Sequence, residues 1–558
     1  MHSFHTLHIL PDNRRIQVVH DAVLHEELDR HGISLTAHCD GMGLCGKCVV
    51  VIQLPDGSHP PVTGADARFI SASRRAAGAR LACQWRVCSD ATVTIPPLSR
   101  INHLHILADA DPTAVQPGAT VDEQAPYGIA VDIGTTTVVG TLLDRRSGVA
   151  CAVSSRLNLQ YRYGADVISR INHSLQPGGM EELHTAIAET VNAIIANLLA
   201  ESGFLPETIG EITVTGNTVM LHILHREPMD TLAVLPFEPV FRESRMAAAA
   251  DIGISLNVPV YSFPVIGGFV GGDTVACMLA VDMDHSENCI MIIDVGTNGE
   301  VALGCDGTCI TTSAPAGPAF EGRGISCGMH GAPGAIEHVR ITREGIQLDV
   351  IEQQPPLGIC GTGLIDATAA LLDWGILDYT GRLVDPDELA ADTPEWLKQR
   401  IVSSNGQNAF LLFNPAVDSF HRGQTTPELL YLTQKDFREV QLAKGAIATA
   451  AAILLVHSGK TLQDVKTIYL AGAFGNYLRP VQARRIGLLP DVPISNISFI
   501  GNAASTGAKR VLVSPDCRRR AERIAASAGH VDLAADPGFQ MLFADHMLFP
   551  ETLNHEHC

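Results

Sequence analysis

Cysteines crowd one glycine-rich loop near the start of the chain. Cys39, Cys45 and Cys48 lie in AHCDGMGLCGKC, a C-x5-C-x2-C spacing, and Cys83 follows in RLACQW. This is close to the plant-type 2Fe-2S pattern, C-x4-C-x2-C with a distant fourth cysteine, but has one extra residue between the first two thiols. The intervening glycines allow the backbone angles that a loop wrapped around a cluster needs. The spacing therefore predicts that these four cysteines ligate one 2Fe-2S cluster.

Two other interpretations of these cysteines stay open. A structural zinc site usually pairs two short Cys-x-x-Cys knuckles, whereas here three thiols share one loop. The thiols could also be buried without any ligand. Cys88 competes with Cys83 for the fourth position, but Arg86, Ser89 and Asp90 surround it. Cys83 directly follows an apolar segment and is the preferred fourth ligand.

A turn that occurs twice indicates a second kind of chemistry. DIGTTT at 132–137 and DVGTNGE at 294–300 each end an apolar strand in Asp and then turn through Gly and Thr. The N–H and hydroxyl groups of such turns can meet phosphate oxygens, and the aspartates would hold Mg²⁺ mostly through water. Asp132 and Asp294 are the predicted catalytic residues. The predicted phosphate contacts are Gly134, Thr135, Thr136, Gly296, Thr297 and Asn298.

A third element, IYLAGAFGNYL at 468–478, has the pattern of a strand, a small-residue turn and a helix start. Its small residues suit the close approach of a nucleoside, which adds Gly472, Gly475 and Asn476 to the predicted site. Gly317 and Asp273, in other glycine-rich stretches, are predicted to line the same cleft, with structural roles as the alternative. All these stretches could also be ordinary tight turns of an unrelated α/β fold.

The elements that must position these residues fall into a small β-rich domain and two longer α/β regions. β-branched runs alternate with Gly and Pro turns in the first region, and a segment rich in Pro, Asp, Gly and Ala follows as a linker. The repeated hairpin predicts duplicated halves that face a common cleft. The predicted boundaries are 1–96 for the ferredoxin-type domain, 97–126 for the linker, 127–285 and 286–545 for the two halves, and 546–558 for a tail.

Composition limits the partners. The 558 residues carry 39 Lys and Arg against 60 Asp and Glu, a formal charge of −21, which repels a phosphate backbone and argues against nucleic acid. The longest apolar run, 445–456, is too short to cross a bilayer, and no secretory signal is visible. We therefore expect a cytoplasmic protein with no membrane partner. In that compartment its 14 cysteines would normally stay reduced, and Cys305 and Cys309 are expected at a hairpin tip.

The two phosphate turns and the nucleoside turn resemble the ATPase core shared by actin, sugar kinases and Hsp70 chaperones. Together with the cysteine loop, the chain resembles the reductive activators of corrinoid proteins. That resemblance runs through HCDGMGLCGKC, RLACQ, VDIGTTT, YGADVISRI, VTGNTVMLH, FVGGDTVA, IIDVGTNGE, APAGPAFEG, GICGTGLID and YLAGAFGNY. It implies an α+β and α/β multidomain fold, with a β-grasp 2Fe-2S ferredoxin-like domain before a duplicated actin-like (RNase H-like) ATPase.

The resemblance also implies a function. It is ATP-dependent reduction of a corrinoid protein, in which one electron passes from the 2Fe-2S cluster to Co(II) and regenerates Co(I) for a methyltransferase system. The implied cofactors are the cluster, ATP and Mg²⁺, and the implied partners are the corrinoid protein, an external low-potential electron donor and a second copy of the chain. Two alternatives remain open, an ATP-binding iron-sulfur redox sensor and an activator of another low-potential enzyme.

Overall fold

The structure is a computed structural model of the chain. It describes residues 4–11, 13–31, 33, 35, 43, 48–70, 72–96, 122–164, 166–404, 406–418, 429–472 and 478–551. Most of the predicted linker, 97–126, therefore lies outside the described residues.

The N-terminal domain is one mixed sheet with a helix packed on it. The sheet order is β2-β1-β5-β3-β4, and β1 pairs antiparallel with β2 and parallel with β5. Apolar residues alternate along β1 and β2, and the side chains that face α1 are fully buried. The elements are β1 (Phe4–Leu10), β2 (Arg14–Val19), α1 (Leu24–Arg30), β3 (Val49–Gln53), α2 (Gly64–Phe69), α3 (Ala72–Ala76), β4 (Ala79–Leu81) and β5 (Ala91–Thr94).

The next region forms a six-stranded sheet in the order β10-β11-β9-β6-β7-β8. Its central strands are buried along nearly their whole length, as expected of strands that are covered on both faces. The elements are β6 (Tyr127–Ile133), β7 (Thr137–Asp144), β8 (Ala150–Leu157), α4 (Val167–Ser174), α5 (Gly179–Ser202), β9 (Ile209–Gly216), α6 (Thr218–His225), β10 (Arg245–Ala248), β11 (Pro259–Ser262) and α7 (Gly272–Ala280).

The C-terminal region holds a second six-stranded sheet, β22-β21-β12-β13-β14-β23, and two three-stranded sheets, β16-β15-β17 and β18-β19-β20. Its first elements are β12 (Cys289–Val295), β13 (Gly299–Cys305), β14 (Thr308–Ala314), β15 (Ala335–Ile341), β16 (Ile346–Val350), β17 (Gly358–Ile359), α8 (Gly361–Asp373), α9 (Glu395–Lys398), β18 (Ile401–Ser404), β19 (Gln407–Phe413) and β20 (Leu430–Thr433). They are followed by α10 (Gln434–Ser458), β21 (Val465–Ala471), α11 (Pro480–Arg485), β22 (Ile497–Phe499), α12 (Ala503–Val513), α13 (Pro515–Ser527), β23 (Gly529–His530) and α14 (Phe539–Met547).

The two large sheets share one topology. The run β8-β7-β6-β9-β11 in the first matches β14-β13-β12-β21-β22 in the second. β6 pairs antiparallel with β7 and parallel with β9, and β12 pairs in the same two ways with β13 and β21. The duplication predicted from the repeated hairpin is therefore present in the fold, and each copy of the hairpin lies at the centre of its sheet.

Two helices cover these sheets over most of their length. α5 packs on β7 and β8, and α10 packs on β13, β14 and α14, close to the helices predicted at 180–201 and 434–457. By length and composition alone both helices could span a membrane, but 56% and 67% of their most apolar windows are buried inside the protein. Each is the core helix of its half.

Helices α7 and α12 lie between the two sheets and cross at very close range. A Cβ added to Gly507 of α12 would lie 2.2 Å from the carbonyl oxygen of Ala276 in α7. Around this crossing, apolar side chains of β6 and β12 join one shared core, among them Ala130 and Ile292. The two halves are thus held together by a direct helix contact that depends on a glycine.

The expectation that the cysteines of this chain stay reduced is wrong for one pair. Cys289 and Cys305 form a disulfide between β12 and β13. They are placed opposite each other by the pairing of Ile290 with Gly304 next to them. Cys305 does lie at the tip of the β13–β14 hairpin, and Cys309 remains a free thiol.

The tail expected from residue 546 does not begin there. Phe549 is only 2% exposed, and three side chains of the C-terminal half bind the backbone around it. The carbonyls of residues 547, 548 and 550 accept hydrogen bonds from Gln441, Lys444 and Arg485, respectively. Residues 546–551 are therefore part of the C-terminal core, and residues 552–558 lie outside the described chain.

We expect Gly507→Ala to destabilise the protein. The added methyl group would overlap a backbone oxygen that cannot rotate away, and overpacking of this kind costs about 1–3 kcal/mol. The melting temperature should fall clearly below that of wild type. Gly345→Ala is the matched control, since a Cβ there meets no atom within 4 Å. Equal melting temperatures for wild type and Gly507→Ala would contradict the proposed packing of the two halves.

Candidate nucleotide and cluster sites

Each repeated turn is closed by its own backbone hydrogen bonds. In the first, the N–H of Gly134 donates to the carbonyl of Thr137 at 3.0 Å. In the second, the N–H of Gly296 donates to the carbonyl of Asn298 at 3.1 Å. Both turns directly follow the central strand of a sheet, because β6 and β12 each end one residue after an aspartate. The chain thus presents two similar turns at equivalent positions of the two halves.

Neighbouring side chains fix the first turn from behind. Asn158 donates through Nδ2 to the carbonyl of Gly134 at 2.9 Å, and its own N–H donates to the carbonyl of Thr136 at 2.9 Å. The carbonyl of Thr135 accepts a hydrogen bond from Nη2 of Arg170 at 2.6 Å. The hydroxyl of Thr135 accepts one from Nδ2 of Asn217 at 3.1 Å. The turn is held in one conformation before any ligand arrives.

The second turn is held by a neighbouring loop of its own half. The N–H of Gly317 donates to the carbonyl of Thr297 at 2.9 Å, and the Thr297 hydroxyl donates to the Glu321 carboxylate. Gly317 has φ +76°, and a Cβ built there would have no neighbour within 4 Å. The loop therefore leaves open space beside the turn, as a phosphate cradle requires.

Gly472 brings the third predicted element against the second turn. It follows β21 with φ +83°, and a Cβ there would come within 2.2 Å of Oδ1 of Asp294. Only a glycine allows the backbone to approach this carboxylate so closely. Gly475 and Asn476, also predicted for this loop, lie outside the described residues.

Four acidic side chains interact electrostatically where the halves meet. Asp132 and Asp273 come from the first half, and Asp294 and Glu300 from the second. Burial, together with the charge of neighbouring carboxylates, raises the pKa of Asp132 and of Asp294 to about 7. Burial also raises the pKa of Asp273 to about 6, and burial with the charges of Asp273 and Asp294 raises the pKa of Glu300 strongly. Four acidic groups thus accumulate at a buried site where burial and mutual repulsion disfavour their charged forms.

This accumulation fits a cation. Within the described ranges, no three His, Cys, Asp or Glu side chains are close enough together to ligate one metal ion directly. Mg²⁺ keeps several waters and usually takes only one or two carboxylates together with substrate phosphates. The arrangement therefore suits a hydrated Mg²⁺ that arrives with a nucleotide, with Asp132 and Asp294 as the residues that would hold its waters.

Asn502 is a site residue that the sequence did not reveal. Its Nδ2 donates to Oδ2 of Asp132 at 3.0 Å across 370 residues of chain, which lowers the pKa of that carboxyl against the effect of burial. Its Oδ1 accepts from the N–H of Ser505 at 2.8 Å and so caps α12. The one local signal for Asn502 is an Asn placed directly before a helix.

Glu300, Arg170 and Asn217 were also missed as individual residues. Glu300 lies in DVGTNGE, Arg170 in YGADVISRI and Asn217 in VTGNTVMLH. These motifs carry the resemblance, but nothing in them marks the three residues individually. Asp273 was predicted to line the cleft, with a structural role as the alternative. It lies in the acidic cluster.

The structure describes two of the four predicted cluster ligands and places them side by side. Sγ of Cys48 lies 3.4 Å from Sγ of Cys83, and the two side chains are 1% and 6% exposed. Gly43 of the cysteine loop has φ +74° and contacts the side chain of Gln84, next to Cys83. Cys39 and Cys45 lie outside the described residues, so the full ligand set stays a prediction.

Cys88 lies apart from this pair. It is exposed, and its thiol contacts the carbonyl of Arg86 at 3.4 Å. Two adjacent buried thiols, in a domain whose sequence carries two more cysteines just before Cys48, fit a 2Fe-2S cluster, because such a cluster is held by four thiolates. Of the two candidates for the fourth ligand, the geometry favours Cys83.

Three comparisons place these features among known proteins. Family models match in chain order: a 2Fe-2S iron-sulfur cluster binding domain at residues 7–88, the RACo middle region at 127–286, and the C-terminal ASKHA domain of RACo at 288–557. The chain is 30% identical to corrinoid activation enzyme RamQ of Eubacterium limosum, over 96% of this chain and 98% of that one. It is 26% identical to a [Co(II) methylated amine-specific corrinoid protein] reductase of Methanosarcina barkeri, over 69% and 70%.

A solved structure agrees with these relatives. The reductive activator for corrinoid,iron-sulfur protein is 27% identical and superposes with a TM-score of 0.66, covering 98% of both chains. The N-terminal cysteine pair, the duplicated sheets and the acidic cleft thus occur in the order of one known architecture. The chain belongs to the RACo family of reductive activators of corrinoid proteins.

Proposed function

We propose that this protein uses ATP to reduce a corrinoid protein from Co(II) to Co(I), with one electron supplied through a 2Fe-2S cluster in its N-terminal domain. The observation that carries the proposal is the presence in one chain of a paired, buried thiol site and of an acidic cleft between two phosphate turns. The names of the relatives support the choice of a corrinoid protein as the electron acceptor.

The cleft residues divide the work of holding Mg²⁺ and ATP. The N–H groups of the two turns donate to phosphate oxygens, and the Thr135 and Thr297 hydroxyls lie beside them. Asp132 and Asp294 hold the waters of Mg²⁺, whose charge offsets the repulsion within the acidic cluster. Gly472 lets the third predicted element pack against Asp294, and the nucleoside would bind beside this contact. Substrate binding and relief of this repulsion therefore occur together.

A 2Fe-2S cluster supplies one electron at a time, and its potential in plant-type ferredoxins is near −400 mV. If the Co(II)/Co(I) couple of the partner lies ~0.2 V lower, each electron moves uphill by about 4.6 kcal/mol. A ligand that shifts a two-state equilibrium from 1:99 to 99:1 must bind the favoured state about 5.5 kcal/mol more tightly. Closing the halves around ATP is therefore of the right size to drive this step, and the α7–α12 crossing is where they would pivot.

Further parts of the proposal rest on the family resemblance and on composition. We propose that the reduced corrinoid serves a methyltransferase system, that an external low-potential donor recharges the cluster, and that the protein acts as a cytoplasmic homodimer. The acidic net charge of −21 supports a partner other than nucleic acid.

Asp294→Asn is expected to reduce Mg²⁺-dependent ATP turnover by about 100-fold or more and to stabilise the nucleotide-free protein. The pKa of Asp294 is raised to about 7 in the fold, against 3.8 ordinarily, so folding favours its protonated form. Its contribution to stability is present below pH 4 and is lost as the pH rises through 7. At pH 8 the variant should therefore melt ~2–4 °C above wild type.

The exposed Asp387→Asn is the control and should change neither quantity. Wild-type ATP turnover in Asp294→Asn would contradict the nucleotide site. An unchanged melting temperature at pH 8 would contradict the account of charge repulsion.

Cys83→Ser is expected to abolish the visible absorption of the cluster and, with it, ATP-dependent formation of Co(I). Cys88→Ser is the matched control, because Cys88 is exposed and lies apart from Cys48. It should keep both signals. The absorption spectrum and the rate of Co(I) formation are measured for the full chain with a Co(II) corrinoid protein. A normal cluster in Cys83→Ser and a lost one in Cys88→Ser would reverse the assignment of the fourth ligand.

A further inference from the structure

Two arginines, one from each half, lie beside the phosphate turns. Arg170 belongs to α4 of the first half, and Arg323 follows the loop that fixes the second turn. Neither was predicted as a site residue. Arg170 is held through its side chain, whereas Arg323 is held through its backbone, so only the Arg323 side chain is available to a ligand.

Arg170 is locked to the first turn. It is 1% exposed, and Nη2 donates to the carbonyl of Thr135 at 2.6 Å. Its other donors bind the carbonyl of Gly164 at 3.0 Å and Oε1 of Gln160 at 3.0 Å. The guanidinium is therefore held rigidly behind the phosphate turn.

Arg323 is fixed through its backbone. Its N–H donates to the carbonyl of Pro318 at 3.1 Å, within the loop that Gly317 and Glu321 attach to Thr297. The glycines on either side, 322 and 324, have φ +80° and +77°, so the chain turns sharply at this residue. The loop thus carries the side chain of Arg323 at a set position relative to the second turn.

The side chain of Arg323 differs from that of Arg170 in having no protein partner. Across the part of the chain that the structure describes, its guanidinium makes no hydrogen bond and no ion pair. It is nevertheless only partly exposed. A guanidinium has five donors, so this side chain can bind an anionic ligand without giving up any protein contact.

The two positive charges act on each other. Burial, together with the charge of Arg323, lowers the pKa of Arg170 to about 10, and Asp166 acts in the opposite direction. Two acids lie in the same surroundings, but both have partners: Asp166 accepts from the N–H of Ser169 at 2.8 Å, and Glu321 accepts from Thr297. An anion bound by Arg323 would relieve this repulsion between the two arginines.

We propose that Arg323 binds the terminal phosphate of ATP, with the buried Arg170 adding positive charge from behind the first turn, and makes the site distinguish ATP from ADP. This inference rests on the proposed function, in which ATP occupies the cleft. The third phosphate brings the additional negative charge that distinguishes the two nucleotides, and guanidinium groups bind phosphate through two parallel hydrogen bonds. Because Arg323 lies in the second half and Arg170 in the first, a phosphate bound by Arg323 is also attracted by the charge of the first half, and its loss on hydrolysis removes that attraction.

The test compares the affinities of the full chain for ATP and ADP, both with Mg²⁺, by equilibrium binding. In Arg323→Gln the Kd for ATP should rise about tenfold or more, whereas the Kd for ADP should stay within about twofold. Arg323→Lys keeps the charge but not the paired donors and should recover part of the loss. Arg343→Gln, at an exposed arginine paired with the exposed Asp392, is the matched control and should leave both constants unchanged.

The outcomes separate this inference from the proposed function. If wild type binds both nucleotides and Arg323→Gln keeps the wild-type ratio of ATP to ADP affinity, the role of Arg323 is overturned and the nucleotide site stands. If wild type binds neither nucleotide, the nucleotide site itself is overturned, and the role of Arg323 with it. Because Arg323 has no protein partner in the described chain, its replacement should not unfold the protein, and an unchanged melting temperature verifies this.

Discussion

The contact between Gly507 of α12 and the backbone of Ala276 in α7 holds the two halves of the ATPase region together. The two helices lie between the sheets and share one apolar core with the central strands β6 and β12. Each helix also begins at the cleft: Asp273 lies in the first turn of α7, and Asn502 caps α12 and binds Asp132. A rotation of the halves about this crossing would therefore move site residues directly.

The same geometry explains why the cleft is acidic. Equivalent strands of the two sheets end in Asp132 and Asp294, and bringing the halves together brings these carboxylates, Asp273 and Glu300 into one electrostatic cluster. In the nucleotide-free protein this repulsion opposes closure, and burial makes the charged forms more costly. A bound Mg²⁺ would offset the acids, and Arg323 would suit the phosphates. Opposite charges on one ligand would thus meet opposite charges on the protein.

Sequence reasoning predicted what lies close together along the chain. The cysteine loop, both Asp-x-Gly-Thr turns and the long helices α5 and α10 each have a local pattern that determines them. It missed Asn502 because its partner, Asp132, is 370 residues away, and it missed the Cys289–Cys305 disulfide because strand register places those thiols opposite each other. The packing of residues 546–551 was also missed, since its donors Gln441, Lys444 and Arg485 come from two separate helices.

The central claim is that nucleotide bound between the two halves drives an electron from the N-terminal cluster to cobalt. The most direct measurement mixes the full chain with a Co(II) corrinoid protein and a low-potential reductant and follows Co(I) by its absorption. Parallel reactions contain Mg·ATP, Mg·ADP or no nucleotide. The account predicts rapid formation of Co(I) with Mg·ATP and little with either of the others. Co(I) formed at the same rate and to the same extent without nucleotide would contradict it.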